Sequence, residues 1–255
     1  MLGGRKCKHI LRSIFERRHY AALLNSTRIY PDFTENAFRY LMHGGQYPYE
    51  IRLRTPVGLR TATLYSHHDI HTVNEIFCRL DYYASENIRT VVDIGSNIGI
   101  SALYFLTRNK ETTCFLYEPD GRNTSKLRKN LVGFEDRYRL VEAAVSSEKG
   151  TLEFGIEPTG RYGGIGVMTG ATISVQCFEI NEVIGEILEM VKFIDVLKID
   201  TEGVEEKTVE AIDSKLARRI KHIFLECHPS HELQSALFRQ DQYGGICRMI
   251  NKFVS

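Results

Sequence analysis

Several things are missing from this sequence of 255 residues. It has no C-x-x-C pair, no stretch of 18 consecutive apolar residues, no excess of either charge and no internal repeat. The six cysteines, Cys7, Cys78, Cys114, Cys177, Cys227 and Cys247, are scattered, several of them inside apolar runs where a thiol behaves as a small hydrophobe. They read as free thiols in a reducing compartment, and a chain of this length buries enough surface to fold without staples. Without a long apolar run there is no membrane-crossing helix to expect, and no apolar run of signal-peptide length follows the first basic residues. A cytoplasmic protein is therefore expected. With 33 basic against 32 acidic side chains, no global field draws the protein to nucleic acid or to an anionic membrane.

The first thirty residues are the exception. Arg5, Lys6, Lys8, Arg12, Arg17, Arg18 and Arg28 stand there against the single acid Glu16, while Ile10, Leu11, Ile14, Phe15, Ala22 and Leu23 fall at helical spacing. We read a helix packed on the domain with a solvated basic face, peripheral contact with a membrane surface or an anionic substrate being the alternative.

From about residue 86 onward, short β-branched runs alternate with helical patterns: "TVVDIG", "TCFLYEP", "YRLVEAAVS", "FIDVLKID" and "HIFLEC". They are apolar on both faces, as strands of a buried parallel sheet are, and the intervening helices Ile100 to Arg108 and Val204 to Lys215 make βαβ units with right-handed crossovers. The expected class is α/β, a mostly parallel central sheet with helices on both faces. Upstream, "YEIRLRTPVGLRTATLYS" reads as a hairpin turning at Pro56-Val57-Gly58, and "HHDIHTVNEIFCRLDYY" as a helix with His71, Asn74, Glu75, Cys78 and Tyr82 on its polar face. Two domains follow, an N-terminal extension of helix and hairpin over 1–85 and a ligand-binding domain over 86–255. Within the second, a loop rich in glycine around Arg161, Tyr162 and Met168 is expected to act as a lid.

The stretch "VVDIGSNIGISALY" puts four poor strand formers, Asp93, Gly95, Asn97 and Gly99, where a core strand ends. In an open parallel sheet ligands bind beyond the carboxyl ends of the strands, and the first strand-to-helix turn cradles them. Gly95 and Gly99 permit backbone conformations closed to other residues and a close approach by a ligand. A dinucleotide site would show G-x-G-x-x-G, but Asn97 and Ile100 occupy the second and third glycine positions, which disfavours NAD. The next strand ends in Glu118, an acid placed to accept both hydroxyls of a ribose.

The spacing D-x-G-x-N-x-G resembles the first motif of S-adenosylmethionine-dependent methyltransferases with a Rossmann-like fold. The segments "VVDIGSNIGISALY", "FLYEPD", "LVEAAVSSEKGTLEF" and "VLKIDTEGVEEKTVEAI" occur in the order found in the FkbM family of methyltransferases, a resemblance spanning about Tyr49 to His228. It implies S-adenosyl-L-methionine as cofactor, with Asp93, Gly95, Ser96, Asn97 and Gly99 around its methionine part, and with Glu118, Pro119 and Ala144 completing the cofactor residues. It also implies O-methylation of a small-molecule or glycan hydroxyl, on a sugar, glycolipid or natural product. The family usually ends in two strands, whereas after "HIFLECHP" only "GICRMINKFVS" reads as one, so the last pair is expected to be short or completed by a second copy of the chain, a homo-oligomer.

Methyl transfer to a hydroxyl requires alignment and removal of a proton, so its groups are expected at the ends of the fourth and fifth parallel strands. The fourth supplies Lys198, Asp200 and Glu202; the fifth supplies Glu226 and His228, with His231 beyond. Histidine, with an ordinary pKa of ~6.5, suits a base near neutrality, and His228 is the candidate. Lys198 reads as an ion-pair partner, and Glu202 and Glu205 as acids favouring the positive end of the helix that follows. Asp200, Glu202, Glu226 and His228 are of types that suit Mg²⁺ or Mn²⁺, but no spacing fixes a ligand set and no metal is expected. Two other functions compete: a nucleic-acid methyltransferase, disfavoured by balanced charge and by "DTEG" after the fourth strand, and a non-catalytic module that only binds the cofactor.

Overall fold

Two helices, α1 (Arg17–Ile29) and α2 (Phe33–Met42), precede the hairpin expected from the sequence. The computed structural model describes residues 17–156, 163–165, 171–201 and 203–254, and it divides into two units, Met1–Tyr83 and Ala84–Ser255. The lid expected around Arg161, Tyr162 and Met168 lies outside the described residues, as does Glu202.

In the first unit, strands β1 (Tyr49–Thr55) and β2 (Gly58–Leu64) pair antiparallel through a two-residue turn, Thr55 opposite Gly58. Their alternation buries Ile51, Leu53, Ala62 and Leu64 on one face. Helix α3 (His67–Val73) starts at a capping box, in which the Ser66 side chain and the Asp69 carboxylate each satisfy the other's backbone N–H. It runs on into a π-helical turn, Asn74–Cys78. That wider turn shifts the helical phase and buries Cys78; the helix then stops, Leu80 turning left-handed (φ 60°), so Tyr82, expected on the polar face, lies past the helix and is buried.

The second unit is built on a seven-stranded sheet that ends in an antiparallel pair, β12 (Phe238–Tyr243) and β13 (Ile246–Asn251), beside five parallel strands. Its parallel part comprises β3 (Thr90–Ile94), β4 (Thr113–Tyr117), β5 (Tyr138–Val141), β10 (Ile194–Ile199) and β11 (Ile220–Leu225). One face carries Val92, Ile94, Phe115, Tyr117, Leu197, Ile199, Ile223 and Leu225 into a core with Ile180, Ile184 and Ile187 of helix α6 (Ile180–Met190). Helix α4 (Ile100–Leu106), buried along its whole length, packs on β3 and β4, and α5 (Gly121–Asn130) follows β4. The helix expected over Val204 to Lys215 is two, α7 (Glu205–Glu210) and α8 (Ser214–Ala217), because Asp213 caps a new start by accepting from the Lys215 N–H.

Two expectations change. The run "YRLVEAAVS" is not one strand: β5 ends at Val141, and β6 (Ala144–Ser146) leaves for a second sheet, ordered β6-β9-β7-β8, with β7 (Gly150–Ile156), β8 (Gly163–Ile165) and β9 (Ala171–Glu179). The terminal strand pair is complete within the chain, β12 (Phe238–Tyr243) and β13 (Ile246–Asn251) forming an antiparallel hairpin beside β11. "FRQDQY" carries no strand signal in the sequence, because an edge strand with few inward side chains shows almost no apolar alternation. The cysteines Cys78, Cys114, Cys177, Cys227 and Cys247 are free thiols.

Candidate functional site

Strand register decides which residues meet at the carboxyl edge of the sheet. Val141 lies opposite Tyr117, Tyr117 opposite Ile94, Ile94 opposite Ile199, and Ile199 opposite Leu225. The next residue on each strand therefore falls in a row across the edge: Glu142, Glu118, Gly95, Asp200 and Glu226. Backbone hydrogen bonds extend the ladder one step past the strands, from Asp200 N–H to the Ile94 carbonyl (3.1 Å) and from Glu226 N–H to the Ile199 carbonyl (3.2 Å).

The turn between β3 and α4 is left-handed at three alternate residues, Gly95 (φ 78°), Asn97 (φ 47°) and Gly99 (φ 87°). A side chain at Gly95 would place its Cβ 1.9 Å from the Asp200 carbonyl oxygen, and one at Gly99 would lie 2.9 Å from Leu127 Cγ. Both glycines thus admit neighbouring chain segments as well as an unusual backbone. Ser96, buried, donates from Oγ to the Asp93 carbonyl (2.8 Å) and closes the turn.

Asp93 lies beneath this turn, 0% exposed. Its Oδ2 accepts from Ser101 Oγ at 2.6 Å, and its Oδ1 stands 3.1 Å from Lys198 Nζ. Lys198, 2% exposed, also reaches Asp200 Oδ2 (3.2 Å) and donates to the Gly95 carbonyl (3.0 Å). Burial opposes its charge, but the carboxylates of Asp93, Asp200 and Glu226 outweigh that and hold the ammonium above its ordinary range. The pairing expected for Lys198 is present. The Asp93 carboxylate, which the resemblance sets beside the cofactor, anchors the lysine that ties β3 to β10.

Glu118, 5% exposed, joins the first two turns. Its Oε2 accepts from the Asn97 N–H (2.9 Å) and its Oε1 from the Asp120 N–H (3.0 Å), with Asn123 Nδ2 at 3.4 Å. Desolvation raises its pKa to about 7, the hydrogen bonds from Asp120, Asn97 and Asn123 working against that rise. Pro119 leads from it into Asp120, which caps α5 by accepting from the Arg122 N–H. Glu142, which the sequence did not single out, accepts from Thr124 Oγ1 on α5 (2.9 Å); only the register reveals its place.

Ala144 stands at the start of β6. Its methyl belongs to the apolar cluster of Phe154, Val175 and Cys177 in the second sheet, because the chain leaves the main sheet after Val141.

Past β10, the Glu205 carboxylate folds back to accept from the N–H groups of Thr201 (2.9 Å) and Gly203 (2.9 Å), so this acid clamps its own loop. Past β11, Glu226 and His228 are exposed, whereas the His231 ring is engaged by Glu210 Oε1 (2.6 Å). His67 lies against the rings of His68 and His43, and His71 against those of His43 and Tyr40, while Asp69 accepts from the Tyr65 and Ser66 N–H groups. Among the described residues no group of three or more His, Cys, Asp and Glu side chains could hold a metal ion, and no helix is long and apolar enough to cross a membrane.

Over 64 residues the chain is 39% identical to the 2-O-methyltransferase NoeI of Sinorhizobium fredii (strain NBRC 101917 / NGR234), covering 25% of this chain and 26% of that protein. Among solved structures it is similar to the methyltransferase FkbM from Methylobacillus flagellatus KT (14% identity, 72% of this chain and 54% of that one, TM-score 0.43). It is also similar to an rRNA methylase from Streptococcus thermophilus (12% identity, 68% and 91%, TM-score 0.37). The chain thus spans about a quarter of the length of the first relative and about half of the second. The family model for the methyltransferase FkbM domain matches residues 93–252, from the buried Asp93 through both terminal strands and well over half of the sequence, and the chain belongs to that family.

Proposed function

We propose that the chain is an S-adenosylmethionine-dependent O-methyltransferase acting on a hydroxyl of a sugar, glycolipid or natural product. The observation that carries this reading is the Glu118 carboxylate, buried at the end of the second strand and bonded to the glycine turn through Asn97. A carboxylate offers about four acceptor sites; the Asn97 and Asp120 N–H groups take one on each oxygen and Asn123 Nδ2 approaches a second on Oε1 at 3.4 Å, so one hydroxyl of a ribose diol would take the remaining site on Oε2 and the other would replace the long Asn123 contact on Oε1. The donor set thus fits the nucleoside of the cofactor, with Gly95, Ser96, Asn97 and Gly99 as the turn that would run along its methionine part.

When bound, S-adenosylmethionine supplies a methyl group on a sulfonium, open to in-line displacement. The chain's own residues must then position the acceptor hydroxyl and accept its proton. Asp200, held by Lys198 at 3.2 Å, is fixed at the strand end and orients the hydroxyl. His228, exposed one strand further along, takes the proton, with Glu226 between them in the row. Glu202, proposed beside Asp200 from the sequence, lies outside the described residues. The name of the Sinorhizobium relative, a 2-O-methyltransferase, supports oxygen as the methylated atom.

The test is titration of the purified chain with S-adenosylhomocysteine, followed by transfer of labelled methyl to a panel of hydroxylated sugars, glycolipids and polyketides. Saturable binding and label on oxygen are expected. Binding without transfer to any member would leave a cofactor-binding module, and label on nucleic acid instead would overturn the acceptor class.

A further inference from the structure

The packed face of α1 is small and polar, and its exposed face sets three large apolar side chains beside Thr27 and Arg28. Ala22 and Ser26 are buried, and Asn25 turns inward to donate from Nδ2 to the Cys78 carbonyl (2.8 Å). Tyr20, Leu23 and Leu24 point outward, 54%, 56% and 62% exposed. These three fall at i, i+3 and i+4, one side of the helix. A single exposed leucine needs no explanation, but an inverted helix does, because ordinary folding would bury this face. Helix α2 repeats the spacing with exposed Phe38, Leu41 and Met42.

Charge says what covers the face. Arg17, Arg18 and Arg28 are the only charged residues of α1 apart from its histidine, and the sequence before it carries Arg5, Lys6, Lys8 and Arg12 against Glu16. The next acids along the chain are already engaged, Asp32 by Arg52 (2.6 Å) and Glu35 by Arg39 (2.6 Å). A second copy placed face to face would set this cationic segment against its own duplicate, a like-charge contact that association avoids. Nucleic acid would match the charge but would make no use of Leu23 and Leu24 on its phosphates. An anionic lipid surface uses both, the apolar side chains entering the acyl boundary and the cations remaining at the headgroups. We infer that α1 seats the protein on an anionic membrane surface.

The full chain is sedimented with phosphatidylcholine vesicles, either plain or containing about 30% phosphatidylserine. Binding to the anionic vesicles alone is expected, falling roughly tenfold or more when salt is raised from about 0.05 to about 0.3 M. The double variant Leu23→Asp with Leu24→Asp should lose at least about tenfold in vesicle binding without a change in Tm, since both side chains are exposed. Arg28→Glu should weaken binding in the same direction. Equal binding to neutral vesicles, no binding, or unaltered binding by the double variant would overturn the inference. So would a fall in Tm of that variant, which would mean the face is packed in solution, a solution dimer that the variant dissolves, or an RNA complex indifferent to Leu23 and Leu24.

Discussion

Glu118 Oε2 accepts a 2.9 Å hydrogen bond from the backbone N–H of Asn97, so the acid ending the second strand holds the turn that follows the first. Its carboxyl is raised to about 7 from an ordinary 4.5, chiefly by burial. The sign follows from linkage: the neutral form is favoured in the folded state, so its contribution to stability is full below about pH 4.5 and is lost as pH rises through about 7. Ionisation then costs the unliganded fold roughly 3 kcal/mol. A ribose diol reverses the preference, because hydroxyl donors favour the charged acceptor.

S-Adenosylhomocysteine should therefore bind up to about tenfold more tightly at pH 8 than at pH 6, while Tm without ligand declines over the same range. In Glu118→Gln binding is weak at both pH values and the difference between them shrinks. Calorimetric titration at the two pH values checks this; equal pH dependence in both proteins would mean that some other group titrates.

Lys198 bridges two strand ends through Asp93 at 3.1 Å and Asp200 at 3.2 Å. Removing one partner of a buried pair strands the other charge, so Lys198→Met should cost about 3–5 kcal/mol. The double change Lys198→Met with Asp93→Asn should recover much of that loss, because no uncompensated charge remains beneath the turn. Denaturant titration measures both. A single variant within about 1 kcal/mol of the wild type would show that solvent reaches the pair.

How far the sequence reached this site depended on whether the cause was local. The abrupt change from apolar residues to glycine marked the turn after Ile94, and the acid at 118 marked the second strand end, because both are written in consecutive residues. The ion pair of Lys198 was legible because an apolar strand with a buried cation must supply an acid. What could not be read was the reason for Gly95: the atom that excludes a side chain there is the Asp200 carbonyl, brought close only by the pairing of β3 with β10. Likewise the detour of Ala144 into another sheet, and the role of Glu142, depend on partners remote in sequence. Strand β12 was hidden for the opposite reason, its polar alternation being indistinguishable from loop.

The two turn glycines should therefore tolerate alanine unequally. Both have positive φ, which costs a residue with Cβ about 1–2 kcal/mol. At Gly95 the new Cβ also meets backbone, the Asp200 carbonyl at 1.9 Å, and β10 must move. At Gly99 it meets Leu127 Cγ at 2.9 Å, a side chain that can rotate. Gly95→Ala should lose roughly 2–5 kcal/mol and Gly99→Ala about 1–2 kcal/mol. Urea midpoints give the order, and a Gly99 variant as damaging as the Gly95 variant would contradict this account of the turn.

The two histidines after β11 separate a chemical role from a structural one. His231 is held by Glu210 Oε1 at 2.6 Å and lies against Ser230, so its contacts are with the surface of α7. His228, exposed, follows directly from the strand end that carries Glu226. If His228 accepts the proton of the acceptor hydroxyl, His228→Ala should lower kcat by about 10²–10⁴-fold, while S-adenosylhomocysteine affinity and Tm stay at wild-type values. His231→Ala should keep the wild-type rate. A His228 variant with full turnover would move the base to the Asp200 side of the row, and the same experiment on Asp200→Asn would then be decisive, since Lys198 would still hold that position in place.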